Sequence, residues 1–226
     1  MRVEPHAIDS YVHVVRRGAR GLPIVGDESD KRRFVRLLFY MNDTYLDENW
    51  SKAARLGVFE RLEGWPEREP LVSLIAFTLM PNHTHLIARV AQEDGLPTFM
   101  RKVGQSMTNY HNKKYRQMGS LFQGSYRSKT IADDGYMQYA AAYVMVKNVF
   151  ELYPNGGLRA GMEDFETAWR WAIAYPYSSL RDFVNGTFSP VLDTDLIREV
   201  LPSPHEFKGF SRDVIKGGKW LDADFE

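Results

Sequence analysis

Residues 71–80 form a continuous apolar run, and a second apolar stretch fills 86–90 after a short polar break. Rich in β-branched and aromatic residues, these flanks predict strands at about 71–80 and 85–90, with Pro81 and Asn82 turning the chain between them. Residues 11–15 predict an earlier strand, closed by a glycine-rich loop. Asp27, Glu28, Ser29 and Asp30 then place acids at the positive end of a helix dipole. Phe34, Leu37, Leu38 and Met41 continue at helical spacing, so a helix is expected over about 29–41. Residues 42–70 are less patterned and predict a short helix at about 51–56 within a surface loop. A second amphipathic helix is marked by Leu96, Phe99, Met100, Val103 and Met107 and runs to about residue 115.

After Met118, Gly119 and Ser120, residues 121–131 read as loop and strand. Asp133 and Asp134 open a third helix, which runs to about residue 152 and stops before Pro154, Gly156 and Gly157. On it Tyr136, Tyr139, Ala140, Tyr143 and Lys147 share a face. The remainder, with Trp169, Trp171, Tyr175, Pro176, Tyr177 and Trp220, reads as a helix and a packing tail. Strand, helix, strand, strand, helix, strand is the split β-α-β order. It predicts an α+β, ferredoxin-like antiparallel sheet with helices on one face. The expected division is a main domain over 1–160 and a C-terminal helical extension over 161–226 that packs on it.

A chain of 226 residues, 44% hydrophobic, can bury a core without staples. It has no cysteine, which excludes disulfides and a thiolate nucleophile. No uncharged apolar run reaches the roughly 18 residues of a membrane span. Residues 1–6 do not resemble a signal peptide, so a cytoplasmic protein is expected. Net charge is zero but unevenly spread. Between 95 and 132 stand Arg101, Lys102, Lys113, Lys114, Arg116, Arg127 and Lys129 without one Asp or Glu, interleaved with Phe99, Tyr110, Tyr115, Phe122 and Tyr126. Cations with aromatics suit a groove that follows a phosphate backbone and stacks its bases. The same pattern also describes a solvated helix face whose aromatics point into the core; the lack of carboxylates favours the polyanion.

The strand pattern puts His83 and His85 on one side, since alternate strand residues share a face. Neutral imidazole is the commonest metal-binding side chain, so the pair is a candidate metal site. The competing reading is one buried, hydrogen-bonded histidine and one exposed.

Met80-Pro81-Asn82-His83-Thr84-His85-Leu86-Ile87 resembles the HUH motif, two histidines around one residue, of the small IS200-like tyrosine transposases. The branch it most resembles is the REP-associated tyrosine transposases. Further resemblances follow in that family's order. They are Gly119-Ser120-Leu121-Phe122-Gln123-Gly124-Ser125-Tyr126-Arg127-Ser128-Lys129, Asp133-Asp134-Gly135-Tyr136 with Tyr143-Val144 seven residues on, and Tyr175-Pro176-Tyr177-Ser178-Ser179. Weaker likeness covers residues 14–34, so the resemblance spans about 10–186.

The resemblance implies a nuclease domain that cuts and rejoins single-stranded DNA bearing hairpin, REP-like elements, as a monomer or homodimer associated with the nucleoid. It implies a divalent Mg²⁺ or Mn²⁺ ion held by His83 and His85, and Tyr143 as a nucleophile that forms a 5′-phosphotyrosine link. Helix geometry alone does not separate Tyr136, Tyr139 and Tyr143; the motif spacing selects Tyr143. The DNA-contacting set is expected to comprise Arg20, Arg101, Lys102, Lys113, Lys114, Arg116, Gln123, Tyr126, Arg127 and Lys129.

In the family a polar residue four positions after the tyrosine completes the metal site, whereas this chain has Lys147 there and Asn148 at five. One residue turns an α-helix by about 100°, so Asn148 reaches the site only if a single-turn π-bulge brings it round. Alternatively, Lys147 supplies charge to the phosphate, or the metal site has been lost. Two other functions stay open: a domesticated protein that binds DNA or RNA hairpins without cutting, and a metal-dependent phosphohydrolase of small molecules.

Overall fold

The computed structural model describes residues 6–47, 50–51 and 59–218. Most of the helix expected at 51–56, and Trp220, lie outside the described residues. Strands β1 (Tyr11–Arg17), β2 (Val72–Leu79), β3 (His83–Val90) and β4 (Arg127–Thr130) form one antiparallel sheet in the order β2-β3-β1-β4. This is the ferredoxin-like order expected from the sequence, and it places the histidine strand β3 inside the sheet. Helices α1 (Glu28–Tyr40) and α2 (Gly95–Tyr115) follow the predicted bounds to within a residue or two. A capping box starts α1, with Asp27 accepting from the Asp30 amide and Asp30 reaching back to Asp27. The segment 121–131 is mostly loop, with strand only at β4. Gly119 and Gly124 adopt positive φ there, and Phe122 bridges to Gly18.

Helices cover both faces of the sheet, where one face was expected, and they do so differently. Val12, Val14 and Arg16 point towards α2. The Arg16 guanidinium donates to Met100 O and lies 4.3 Å from the centre of the Phe122 ring. It passes over Gly104, where any Cβ would collide with it. Residues 13, 15 and 17 of β1 and 83, 85 and 87 of β3 share the other face, which the third predicted helix covers.

That helix is not continuous. It consists of α3 (Asp134–Ala142), a π-helical turn (Tyr143–Lys147) and α4 (Asn148–Glu151). The Asn148 amide donates to Tyr143 O, one residue further back than in an α-helix. A π turn disturbs the regular ladder and leaves carbonyls in need of other donors. The buried Thr78 hydroxyl of β2 donates to Val144 O at 2.6 Å and thus ties the turn to the sheet. Thr78→Val should therefore lower stability by about 1–3 kcal/mol, the usual cost of leaving a buried carbonyl unsatisfied, while Thr78→Ser stays near wild type. Urea unfolding of the three proteins measures the difference.

Five more helices follow among the described residues, α5 (Gly157–Glu163), α6 (Phe165–Ala174), α7 (Leu180–Asn185), α8 (Thr194–Val200) and α9 (Pro204–Gly217), where a helix and a tail were expected. The 160/161 boundary falls inside α5, and one apolar core runs from Val12 through Phe150 and Trp169 to Phe207 and Ile215. Between α6 and α7 the motif at 175–179 lies along the open edge of β2. Leu79 N donates to Tyr177 O, Ser179 N donates to Phe77 O, and Phe77 N donates to Ser179 Oγ. These bonds satisfy an edge that would otherwise invite pairing with another chain. Ser178 also meets the Thr78 hydroxyl at 3.2 Å. No helix among the described residues is long and apolar enough to cross a membrane.

Candidate active site

The strand pairing assembles the site. Val15 faces His85 and Arg17 faces His83 across β1 and β3, which leaves His13 diagonal to His85 on the same side. The His13 and His85 rings are near-parallel at 12° with centroids 5.2 Å apart, and meet edge to edge, His13 Nε2 lying 3.0 Å from His85 Nδ1. His83 and His85 meet edge to face at 4.9 Å. His83 is half-buried, and its Nδ1 lies 2.7 Å from Asn82 Oδ1. An amide oxygen only accepts, so His83 Nδ1 carries a proton, and in the neutral ring Nε2 keeps the lone pair. His13 and His85 are each 1% exposed. Burial, helped by Lys129, pushes the His13 pKa down to about 3. Burial and then the neighbouring His13, His83, Lys147 and Arg17 hold His85 well below the usual histidine range. Both rings are therefore neutral near pH 7, the state that can ligate a metal.

Tyr143 closes the cluster from above. Its ring centre lies 5.5 Å from that of His85 and 6.1 Å from that of His13. Of the three tyrosines that helix geometry left equivalent, ring contacts to these histidines are found for Tyr143. Lys147 Nζ lies 4.6 Å from the centre of the Tyr143 ring, 3.5 Å from its hydroxyl and 2.6 Å from Glu151 Oε1. The cation at the family's ligand position is thus folded back on the tyrosine and balanced by Glu151.

Asn148 is 1% exposed, and both its Oδ1 and its Nδ2 are buried without a hydrogen-bond partner. His85 Nε2 is likewise buried and unpaired. Buried polar atoms are almost always satisfied, so an amide orphaned at both ends marks a missing partner. The chemistry of the donors, imidazole nitrogen and amide oxygen, fits a divalent cation. Among the described residues no three His, Cys, Asp or Glu side chains gather as a metal site.

Residues 66–147 match the family model Transposase IS200 like. The matched stretch contains His83, His85 and Tyr143 and stops one residue before Asn148. No match was found among curated proteins. Among solved structures, the chain is similar to a REP-associated tyrosine transposase bound to a REP hairpin. Identity there is 10% and the TM-score 0.49, over 84% of this chain and 88% of that one. It is also similar to a candidate transposase from Deinococcus radiodurans, at 16% identity and TM-score 0.32, over 61% of this chain and 92% of that one.

The expected DNA-contacting residues are scattered more widely than the sequence suggested. On the histidine face of the sheet, Arg127 and Lys129 are exposed on the edge strand β4, opposite Val15 and His13 in register. Arg20 and Gln123 are exposed on adjacent loops, since Ala19 N donates to Leu121 O and Gln123 N to Arg17 O. Arg101, Lys113 and Arg116 are exposed along α2 and at its end.

Three of the expected residues are engaged within the protein. Lys114 is taken up internally: its Nζ lies 2.6 Å from both Asp27 and Asp30, tying the end of α2 to the start of α1. Lys102 is half-buried and donates to Asp43 O at 2.6 Å. Tyr126 belongs to the core with Phe99 and Phe122, and burial raises its pKa to about 12. The aromatics of this stretch are therefore mainly packing residues. His13 was not singled out from the sequence; the only signal was a polar ring in the middle of a strand otherwise lined by valines.

Proposed function

We propose that this protein is an IS200-like transposase that cleaves and rejoins single-stranded DNA carrying hairpin elements through a covalent link to Tyr143. The observation that carries this reading is the contact of the buried Tyr143 ring with His85, whose Nε2 is buried without a partner; the Asn148 amide, five residues after Tyr143, is buried without one as well. The family match over residues 66–147, which include His83, His85 and Tyr143, supports it. His83 Nε2, His85 Nε2 and Asn148 Oδ1 would hold a divalent cation. Two imidazoles favour Mn²⁺ over Mg²⁺, which prefers all-oxygen shells. When bound, the cation supplies Lewis-acid polarisation of the scissile phosphate.

The remaining chemistry belongs to the chain. The Tyr143 oxygen bonds to phosphorus as the P–O3′ bond breaks. The phenol proton is released, and the departing oxygen takes up a proton to become a free 3′-hydroxyl. One phosphodiester replaces another, so rejoining needs no external energy source. Lys147 places positive charge beside the attacking oxygen. Arg127 and Lys129, on the open edge of the histidine face, would hold the backbone of the strand.

A hairpin-bearing oligonucleotide incubated with the protein and Mn²⁺ should give a product that migrates with the protein on a denaturing gel and vanishes with chelator. A second reading, hairpin binding without cleavage, is favoured by one observation: Tyr143 is only 4% exposed and its lysine neighbour is engaged by Glu151. Tight binding with no covalent product under any metal would establish that reading instead.

The unpaired amide makes a further prediction. Asn148→Leu removes two unsatisfied buried polar atoms, so the metal-free variant should be more stable than wild type by about 1–3 kcal/mol. The same change should raise the Mn²⁺ concentration needed for cleavage, because a ligand is lost. Denaturant titration and a metal titration of cleavage check the two halves separately.

A further inference from the structure

We infer that His13 is a positioning residue that fixes His85 in the tautomer able to bind metal. This rests on the metal reading above, and the test below separates the two. A hydrogen bond between two neutral imidazoles contains one N–H, and its position decides what His85 can do. If His85 Nδ1 carries the proton, it donates to His13 Nε2 across the observed 3.0 Å, and His85 Nε2 presents a lone pair. If His13 Nε2 carries the proton, His85 Nδ1 accepts, and its N–H lies on Nε2.

The surroundings discriminate between these. His85 Nε2 is buried with no protein acceptor in reach, so an N–H there would be an unsatisfied donor. A lone pair aimed at a cation has no such defect. His13 is held for this role from two sides. Its backbone lies in the centre of β1, paired to β3 and β4, and its ring lies within 12° of the His85 plane, the alignment that an in-plane bond between ring nitrogens needs. Metal-ligating histidines are commonly oriented by a carboxylate or a carbonyl on the second nitrogen. Here the acceptor is a neutral imidazole, which orients the ring without adding charge to the site.

The test is nitrogen-15 NMR of imidazole tautomers in the full-length, metal-free protein, followed by Mn²⁺ binding measured by electron paramagnetic resonance. His85 is expected with its proton on Nδ1 in the unsubstituted protein and in His13→Gln, whose side-chain oxygen still accepts. In His13→Leu the proton should move to Nε2 and Mn²⁺ affinity should fall about ten- to hundredfold, with His13→Gln recovering most of it. A His85 proton on Nε2 in the unsubstituted protein overturns the inference, as does a tautomer that His13→Leu leaves unchanged. If His13→Leu does not fold, the unsubstituted protein and His13→Gln still decide the tautomer. Should the tautomer follow His13 while no variant binds Mn²⁺, the positioning role stands and the metal reading falls.

Discussion

Tyr143→Phe is expected to form no covalent DNA–protein product while binding hairpin DNA within a few-fold of wild type. The substitution removes one oxygen. The ring keeps its edge-to-face contacts with His13 and His85, and the hydroxyl's contact to Lys147 is a long 3.5 Å, so little stability depends on it. Removing the nucleophile itself should cost cleavage on the order of 10⁴-fold or more, as in other enzymes with a covalent intermediate. Tyr136→Phe and Tyr139→Phe serve as controls from the same helix. A covalent product that survives in Tyr143→Phe but disappears in one of these would move the nucleophile, and with it the site. Denaturing gels with a labelled oligonucleotide resolve all three.

His85→Ala should abolish cleavage at every Mn²⁺ concentration, and it carries a structural penalty that has to be separated from the chemistry. His85 is buried, and its loss leaves a void and removes its contact with His13 Nε2, so stability should drop by about 1–3 kcal/mol. Chelation provides the comparison, because it removes the metal from a wild-type fold. If the metal reading is correct, chelated wild type and His85→Ala lose cleavage alike, excess Mn²⁺ restores only the former, and both retain DNA binding. Equal losses of folding, binding and cleavage in His85→Ala, with chelator having no effect on wild type, would reduce the histidine pair to a packing element.

Much of this was legible in the chain. Periodicity located the strands and helices around the site because their apolar faces repeat at periods of about 2 and 3.6, which are local properties. The two-residue spacing of His83 and His85 sufficed to put both on one side of a strand, and β3 bears this out. The register problem after Tyr143 was also visible, since Lys147 at four and Asn148 at five cannot both lie beneath it on an ideal α-helix. A π turn does stand at Tyr143–Lys147, the kind of irregularity that an Asn148 ligand would need. Its stabilising partner, Thr78, lies 66 residues away in sequence, so no local pattern could have announced it.

Charge was the least reliable guide. A stretch without a carboxylate looked like one polyanion surface, yet Lys114 is neutralised by Asp27 and Asp30, 87 and 84 residues earlier, and Lys102 by a backbone carbonyl. Phe99, Phe122 and Tyr126 turned inward because α2 and the following loop bury one side each against the sheet.

The sequence alone determined the order of elements and the face shared by the paired histidines, because both depend on local spacing, while the candidacy of Tyr143 came from the resemblance to the family's motif. Only the tertiary structure decided that His13 stands behind His85, that the helix widens at Tyr143 and that Asn148 is left as an unpaired buried amide. Each of those depends on antiparallel register and side-chain contact between strands and helices far apart in the chain, where a shift of one residue would have turned every side chain to the opposite face.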